Sequence, residues 1–137
     1  MKITICGSMQ FHKDMLEAKA FLEVQGHTVF IPSGAYDISK NEFYASTEEE
    51  KITFKIENNL IREHFQFIQQ SDAVIVLNYE KKGIPGYIGG NTFLEIGYAF
   101  GLGKKIYLMN PVPTMDYAVE MHSMKPVVID GDLGKIG

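Results

Sequence analysis

The 137-residue chain has a single cysteine, Cys6, so no internal disulfide can form, and the cytoplasm is the expected compartment. It has no long apolar run. The longest, Ala73–Leu77, falls far short of the roughly 20 residues that a membrane-spanning helix needs. Lys2 is followed by too few apolar residues for a secretory signal. Positive charge is in the minority, with 13 Lys and Arg against 17 Asp and Glu and a net charge of −4. That balance excludes a basic nucleic-acid groove, although a small anion held by backbone groups stays compatible with it. Several nucleotide and nucleophile signatures are also missing. Gly101-Leu102-Gly103-Lys104-Lys105 lacks both the spacing and the hydroxyl residue of a P-loop. Only Gly7-Ser8 stands where a dinucleotide motif would need three spaced glycines, and no G-x-S-x-G surrounds Ser8. His12, His27, His64 and His122 have no metal-ligand spacing, and Cys6 has no second thiol beside it. Neither a metal nor another cofactor is expected.

What the chain does have is an ordinary globular composition, 45% hydrophobic and 22% charged. Its length fits one domain spanning residues 1–137, large enough to bury about two-thirds of its unfolded surface. Lys2–Cys6 reads as a first strand that turns at Gly7-Ser8. Met15, Ala18 and Leu22 recur at helical spacing, and Gly26 marks the stop. His27–Ile31 reads as a second strand, ended by Pro32, while 33–46 resists assignment. Thr47 followed by Glu48, Glu49 and Glu50 is a strong helix start, with acids on the positive end, and the spacing predicts one helix to about Gln70. Ala73–Leu77 is apolar without alternation, as in a central parallel strand. A glycine-rich loop (83–90), a helix from about Asn91 to Leu102, a strand at Ile106–Met109, a short helix within 114–123 and a strand at Pro126–Ile129 complete the order. Strands alternating with helices imply an open, parallel, five-stranded α/β sheet with helices on both faces.

Ligands of such sheets bind outside the carboxyl ends of the strands. That rule selects Gly7–Phe11, Asn78–Asn91 and Asn110–Asp116. Seven of the 13 glycines fall between Gly83 and Gly103, beside the second of these segments. Ser8 stands between a strand and a helix, where it either caps the turn or meets an anion or a sugar hydroxyl. Glu95 is placed in the first turn or so of a helix whose other residues are mainly apolar or small. As a dipole partner at an exposed helix start it would contribute only about 0.3–1 kcal/mol. An ionisable side chain on so apolar a helix, next to the strand ends, points instead to a site. There it can act as a base, as a ligand for sugar hydroxyls, or as a nucleophile at an anomeric carbon. With an ordinary pKa near 4.3 it is ionised at pH 7, as a nucleophile must be.

Asp72-Ala73-Val74-Ile75-Val76-Leu77, the glycine-rich loop, and then Phe93-Leu94-Glu95-Ile96-Gly97-Tyr98-Ala99 with Gly103-Lys104-Lys105-Ile106 resemble the nucleoside 2-deoxyribosyltransferase family. That family includes the 2'-deoxynucleoside 5'-monophosphate N-glycosidases. Ile5-Cys6-Gly7-Ser8 is similar to its first strand and ligand-binding turn. The resemblance implies a flavodoxin-like, deoxyribosyltransferase-like fold and attack by Glu95 at C1' of a 2-deoxyriboside. A glycosyl-enzyme intermediate would then pass to water or to a second base.

The resemblance assigns further residues. The family aspartate that handles the leaving base stands eight residues ahead of the strand aspartate, where this chain has His64, a side chain able to protonate a base. The aspartate that holds sugar hydroxyls in the transferases stands six residues before the nucleophile, where this chain has Gly89, followed by Gly90 and Asn91. Losing that acid favours a substrate with an anionic 5' group. Asp72 is expected to serve as a strand-entry or cap residue rather than in catalysis. Of Tyr79, Tyr87, Phe93 and Tyr98, one is expected to stack on the base and the rest to pack in the core or against a subunit; Tyr79 is counted in the substrate site. In the relatives the segment matching Asp116, Tyr117 and Ser123 completes a neighbouring subunit's site. Together with the short chain, this implies a homodimer or higher homo-oligomer. The competing readings are a non-catalytic nucleotide or sugar-phosphate binder of the same shape, and a glycohydrolase acting on another nucleotide.

Overall fold

The computed structural model of the chain describes residues 1–33, 47–57 and 59–137. The β-branched run at the start forms β1 (Lys2–Cys6), and a one-turn 3-10 helix (Met9–Phe11) leads into α1 (His12–Val24). Met15, Ala18 and Leu22 are the buried face of α1, as their spacing requires. Gly26, at φ 94°, takes the left-handed conformation that ends the helix. After β2 (Thr28–Phe30) comes α2 (Glu48–Glu57), where Thr47 Oγ1 accepts the Glu50 N–H at 3.1 Å. That is the cap the sequence implies.

The single helix expected from 47 to about 70 is two. Asn59 sits in the left-handed region (φ 52°, ψ 38°) and separates α2 from α3 (Leu60–Gln70). Asparagine is among the few residues that tolerate this conformation, so the break falls on it. Then follow β3 (Ala73–Val76), α4 (Gly90–Gly101), β4 (Lys105–Leu108), α5 (Ala118–Ser123), β5 (Val127–Val128) and a 3-10 turn (Leu133–Lys135). Each strand lies within a residue or two of its expected place; α5 begins four residues later than expected. Residues 34–46, most of the stretch that resists assignment, lie outside the described residues.

The sheet is wholly parallel, in the order β2-β1-β3-β4-β5. Cys6, Val76 and Leu108 pair in one row at its carboxyl edge. Every residue of β3 is buried, because both faces of this central strand are covered. On one face Ile3, Ile5, Ile75 and Tyr107 pack with Met15 and Leu22 of α1. On the other, Val74, Val76, Ile106 and Leu108 pack with Ile68 of α3, Ile96 and Ala99 of α4, and Met121 of α5. Asp72 ties β1 to β3 at the opposite edge, accepting the Lys2 N–H at 2.8 Å, the strand-entry role expected of it. Among the described residues no helix is long and apolar enough to cross a membrane.

A buried carboxylate at the strand ends as candidate active site

The order of the strands reverses between β1 and β3. Chain connections leave these neighbours in opposite directions, which opens a crevice beyond their carboxyl ends. At this point the backbones run close together. A Cβ added to Gly7, whose φ is 156°, would lie 3.3 Å from the Leu77 carbonyl oxygen. Asn78 locks the segments behind the crevice. Its amide donates to the Asn110 carbonyl at 2.8 Å and its oxygen accepts the Asn110 N–H at 2.9 Å. The same amide reaches the carbonyls of Gly86 and Pro111 at 3.3 Å. Asn110 reciprocates, donating its side-chain amide to the Asn78 carbonyl at 3.0 Å.

Three elements converge on one buried cluster. β1 ends on Cys6, α3 contributes His64, and α4 contributes Glu95, with relative exposures of 0%, 4% and 5%. His64 Nε2 stands 3.2 Å from Glu95 Oε2 and 3.5 Å from Cys6 Sγ. The imidazole N–H can donate to the carboxylate, and the contact becomes an ion pair when His64 is protonated. Burial, and then the negative charge of Glu95, push the Cys6 thiol well above its ordinary pKa, so Cys6 is a neutral wall of the cluster. Glu95 is the sixth residue of α4 rather than a first-turn residue, and the first turn carries no acid. The helix-dipole explanation of Glu95 loses its basis, since that effect fades within a turn.

The other expected site residues surround this cluster unequally. Gly7 and Ser8 follow Cys6 directly. Ser8 Oγ accepts the Gln10 N–H at 3.3 Å, the capping role, and also the Lys81 ammonium at 2.9 Å. Gly89 is the N-cap of α4 with no side chain to occupy its free N–H groups, and Gly90 and Asn91 are exposed beside it. Tyr79 packs edge-on against Phe11, with ring centroids 5.2 Å apart. Its hydroxyl pKa is raised by burial and by Asp14 and Glu17. Tyr87 lies beneath Lys81 and Lys82, whose ammoniums are 5.5 and 5.7 Å from the ring centroid. Phe93 stacks on Tyr117 and Tyr98 on Phe65, both at 4.4 Å, so these two aromatics are taken up by protein rings. They line an open groove of about 720 Å³ with Leu94, Val119 and Met124, on the outer side of α4. Asp116 is exposed, and Tyr117 donates its hydroxyl to the Ile88 carbonyl.

Three residues of the site escape the sequence reading: Cys6, Asn78 and Lys81. Cys6 and Asn78 carry a usable signal, since each stands at or just past the end of a strand, where the strand-end rule directs attention. Lys81 carries none. Its approach to Ser8 depends on how the 78–89 loop folds back over the crevice.

No family model and no curated protein sequence matches the chain. Solved structures do. A 2-deoxyribosyltransferase from the psychrotolerant bacterium Bacillus psychrosaccharolyticus is 23% identical, with a TM-score of 0.51 over 79% of this chain and 71% of that one. A CMP N-glycosidase of Clostridium botulinum is 18% identical, with a TM-score of 0.54 over 94% of this chain and 87% of that one.

Proposed function

With a deoxyribosyltransferase-like fold as the premise, we propose that the chain cleaves or exchanges the N-glycosidic bond of a 2'-deoxynucleoside or its 5'-monophosphate. The proposal includes a covalent glycosyl-glutamate at Glu95. The observation that carries it is the buried Glu95 carboxylate, held by His64 at 3.2 Å beside the strand switch point. Solved neighbours named for glycosyl transfer and for CMP cleavage support the reaction class.

The steps are those of a retaining displacement. A Glu95 oxygen bonds to C1' while the C1'–N bond breaks, and its electron pair leaves on the base, which takes up a proton. A water oxygen then bonds to C1', the ester C–O bond breaks, and the carboxylate is restored as water gives up a proton. A second base in place of water makes the reaction an exchange. His64, hydrogen-bonded to one carboxylate oxygen, orients the other toward the sugar and is assigned the protonation of the departing base. Gly7, Gly89, Gly90 and Asn91 line the path of the sugar, and Tyr79 and Asp116 complete the substrate site. Lys81, across Ser8, supplies the cation for a 5'-phosphate. The apolar groove beside Leu94 and Val119 is the surface for a second copy of the chain, which would close the pocket.

One observation favours a second reading. CMP, in the name of a neighbouring structure, carries a ribose, so a ribonucleoside monophosphate belongs on the substrate panel. The test is incubation with 2-fluoro-2-deoxy analogues of nucleosides and their 5'-monophosphates, followed by peptide mass spectrometry. The expected result is a glycosyl adduct on Glu95, absent from Glu95→Gln. No adduct, together with no base release from any member of the panel, would overturn the proposal in favour of a non-catalytic binder.

A further inference from the structure

The chain has no metal-ligand spacing in its sequence, yet the fold brings a thiol, an imidazole and a carboxylate together from β1, α3 and α4. One donor atom from each of Cys6, His64 and Glu95 lies within 4.8 Å of the others. The separations resemble the edges of a tetrahedron. Zinc bonds of about 2.0–2.1 Å to nitrogen and oxygen and about 2.3 Å to sulfur imply edges of about 3.3 Å for N···O and about 3.5 Å for N···S. The corresponding distances here are 3.2 Å from His64 to Glu95 and 3.5 Å from His64 to Cys6. The third edge, sulfur to carboxylate, lies within 4.8 Å and would be about 3.6 Å in a zinc tetrahedron.

We infer that Cys6, His64 and Glu95 form a three-ligand site for a zinc ion, and that the ion silences the enzyme by occupying the nucleophile. The silencing part rests on the proposed role of Glu95; the binding part does not. One sulfur, one nitrogen and one oxygen donor suit a borderline cation such as zinc, whereas magnesium and calcium demand oxygen shells. All three donors are already buried and held by packed elements, so binding needs no backbone movement. Zinc binding takes the thiol proton off Cys6, and the dication offsets the two negative charges that would otherwise repel in this dry cluster. Zinc on Glu95 Oε2 draws electron density from the whole carboxylate, so the other oxygen, the one aimed at C1', becomes a weak nucleophile. Zinc binding and glycosyl transfer to Glu95 therefore oppose each other.

Cobalt(II) added to the intact, unsubstituted protein tests the site directly. Because Cys6 is the only cysteine, a thiolate-to-cobalt charge-transfer band can come from no other residue. The expected result is such a band, saturating at one equivalent and displaced by zinc. By calorimetry Cys6→Ser should weaken zinc binding about 100-fold, since even residues supporting a ligand are worth 10–100-fold. Glu95→Gln should weaken it about tenfold or more on the same scale. Wild-type protein without the cobalt band, or zinc affinity unmoved by a folded Cys6→Ser variant, would overturn the inference. Zinc should also stop base release, with full recovery on adding a chelator. Base release that continues with the cobalt-calibrated site filled would overturn the silencing. A protein that binds zinc but releases no base from any substrate would sink the catalytic reading and leave the site standing.

Discussion

His64 Nε2 and Glu95 Oε2 meet at 3.2 Å across the α3–α4 interface, with about a twentieth of either residue exposed. The helices that carry them are held together, because α3 and α4 are packed on the same face of the sheet through Ile68, Ile96 and Ala99. If His64 positions the carboxylate and holds a proton for the leaving base, His64→Ala should lower kcat about 100-fold and change KM little. His64→Gln, which keeps a donor for Glu95, should recover part of the loss. An equal fall in both variants, or a change in KM alone, would assign His64 a purely structural role. Initial rates of base release measure this.

Lys81 makes a different prediction, one about the substrate. A hydrogen bond to a charged group is worth about 1.5–3 kcal/mol, so Lys81→Met should raise KM for a 5'-monophosphate by roughly 10- to 100-fold. Unphosphorylated nucleosides should be unaffected. If both classes of substrate weaken equally, Lys81 shapes the loop rather than reading a phosphate.

The raised pKa of the Cys6 thiol couples folding to pH in a defined direction. In the unfolded chain a cysteine loses its proton near pH 8.5, while buried Cys6 still holds it. Between those two values the unfolded state binds fewer protons, so stability falls as pH rises, by at most about 1.4 kcal/mol per pH unit. Below the unfolded value this contribution is complete. Urea midpoints between pH 7.5 and 10 should show the decline in wild type, and Cys6→Ala should show a shallower one. Parallel pH profiles for the two proteins would contradict the burial of this thiol.

Asn78 is wholly buried and joins the ends of β3 and β4 through both its side-chain atoms. Asn78→Ala strands the Asn110 N–H and weakens the hold on three carbonyls, at an expected cost of about 2–4 kcal/mol. For a chain of this size that lowers Tm by roughly 8 °C or more. The loop it holds is tight: a Cβ on Gly86 would come within 2.7 Å of the Pro111 oxygen. Calorimetric melting checks the prediction, and a shift of under two degrees would refute it.

The strands, most of the helices and the placing of Glu95 on an apolar helix were legible in the chain, because they depend on local patterns of apolar residues, although Glu95 lies deeper in its helix than the first turn. The Asn59 break was less so. Ile52, Ile56 and Leu60 keep helical spacing across it, and only the polar Asn58-Asn59 pair hinted at a stop. The partners of Glu95 were legible only in part. His64 stands out only through the likeness to a family. Spacing along the chain gives Cys6 no partner, because its neighbours arrive from 58 residues away on α3 and from α4. Lys81 depends on loop closure, for which one-dimensional patterns carry no signal.

The pairing of β1 with β3, Ile3 against Ala73 and Cys6 against Val76, has a consequence for the order of assembly. The first strand can pair with β2 early, but its other edge must wait for a partner made some seventy residues later, and closing so long a stretch of chain is a slow step in forming a sheet. Cys6 meets His64, and His64 meets Glu95, only once that closure and the docking of α4 are complete. A newly made or partly unfolded chain therefore holds a carboxylate with no imidazole to aim it. The proposed capacity to cut a glycosidic bond would arrive last, with the finished sheet.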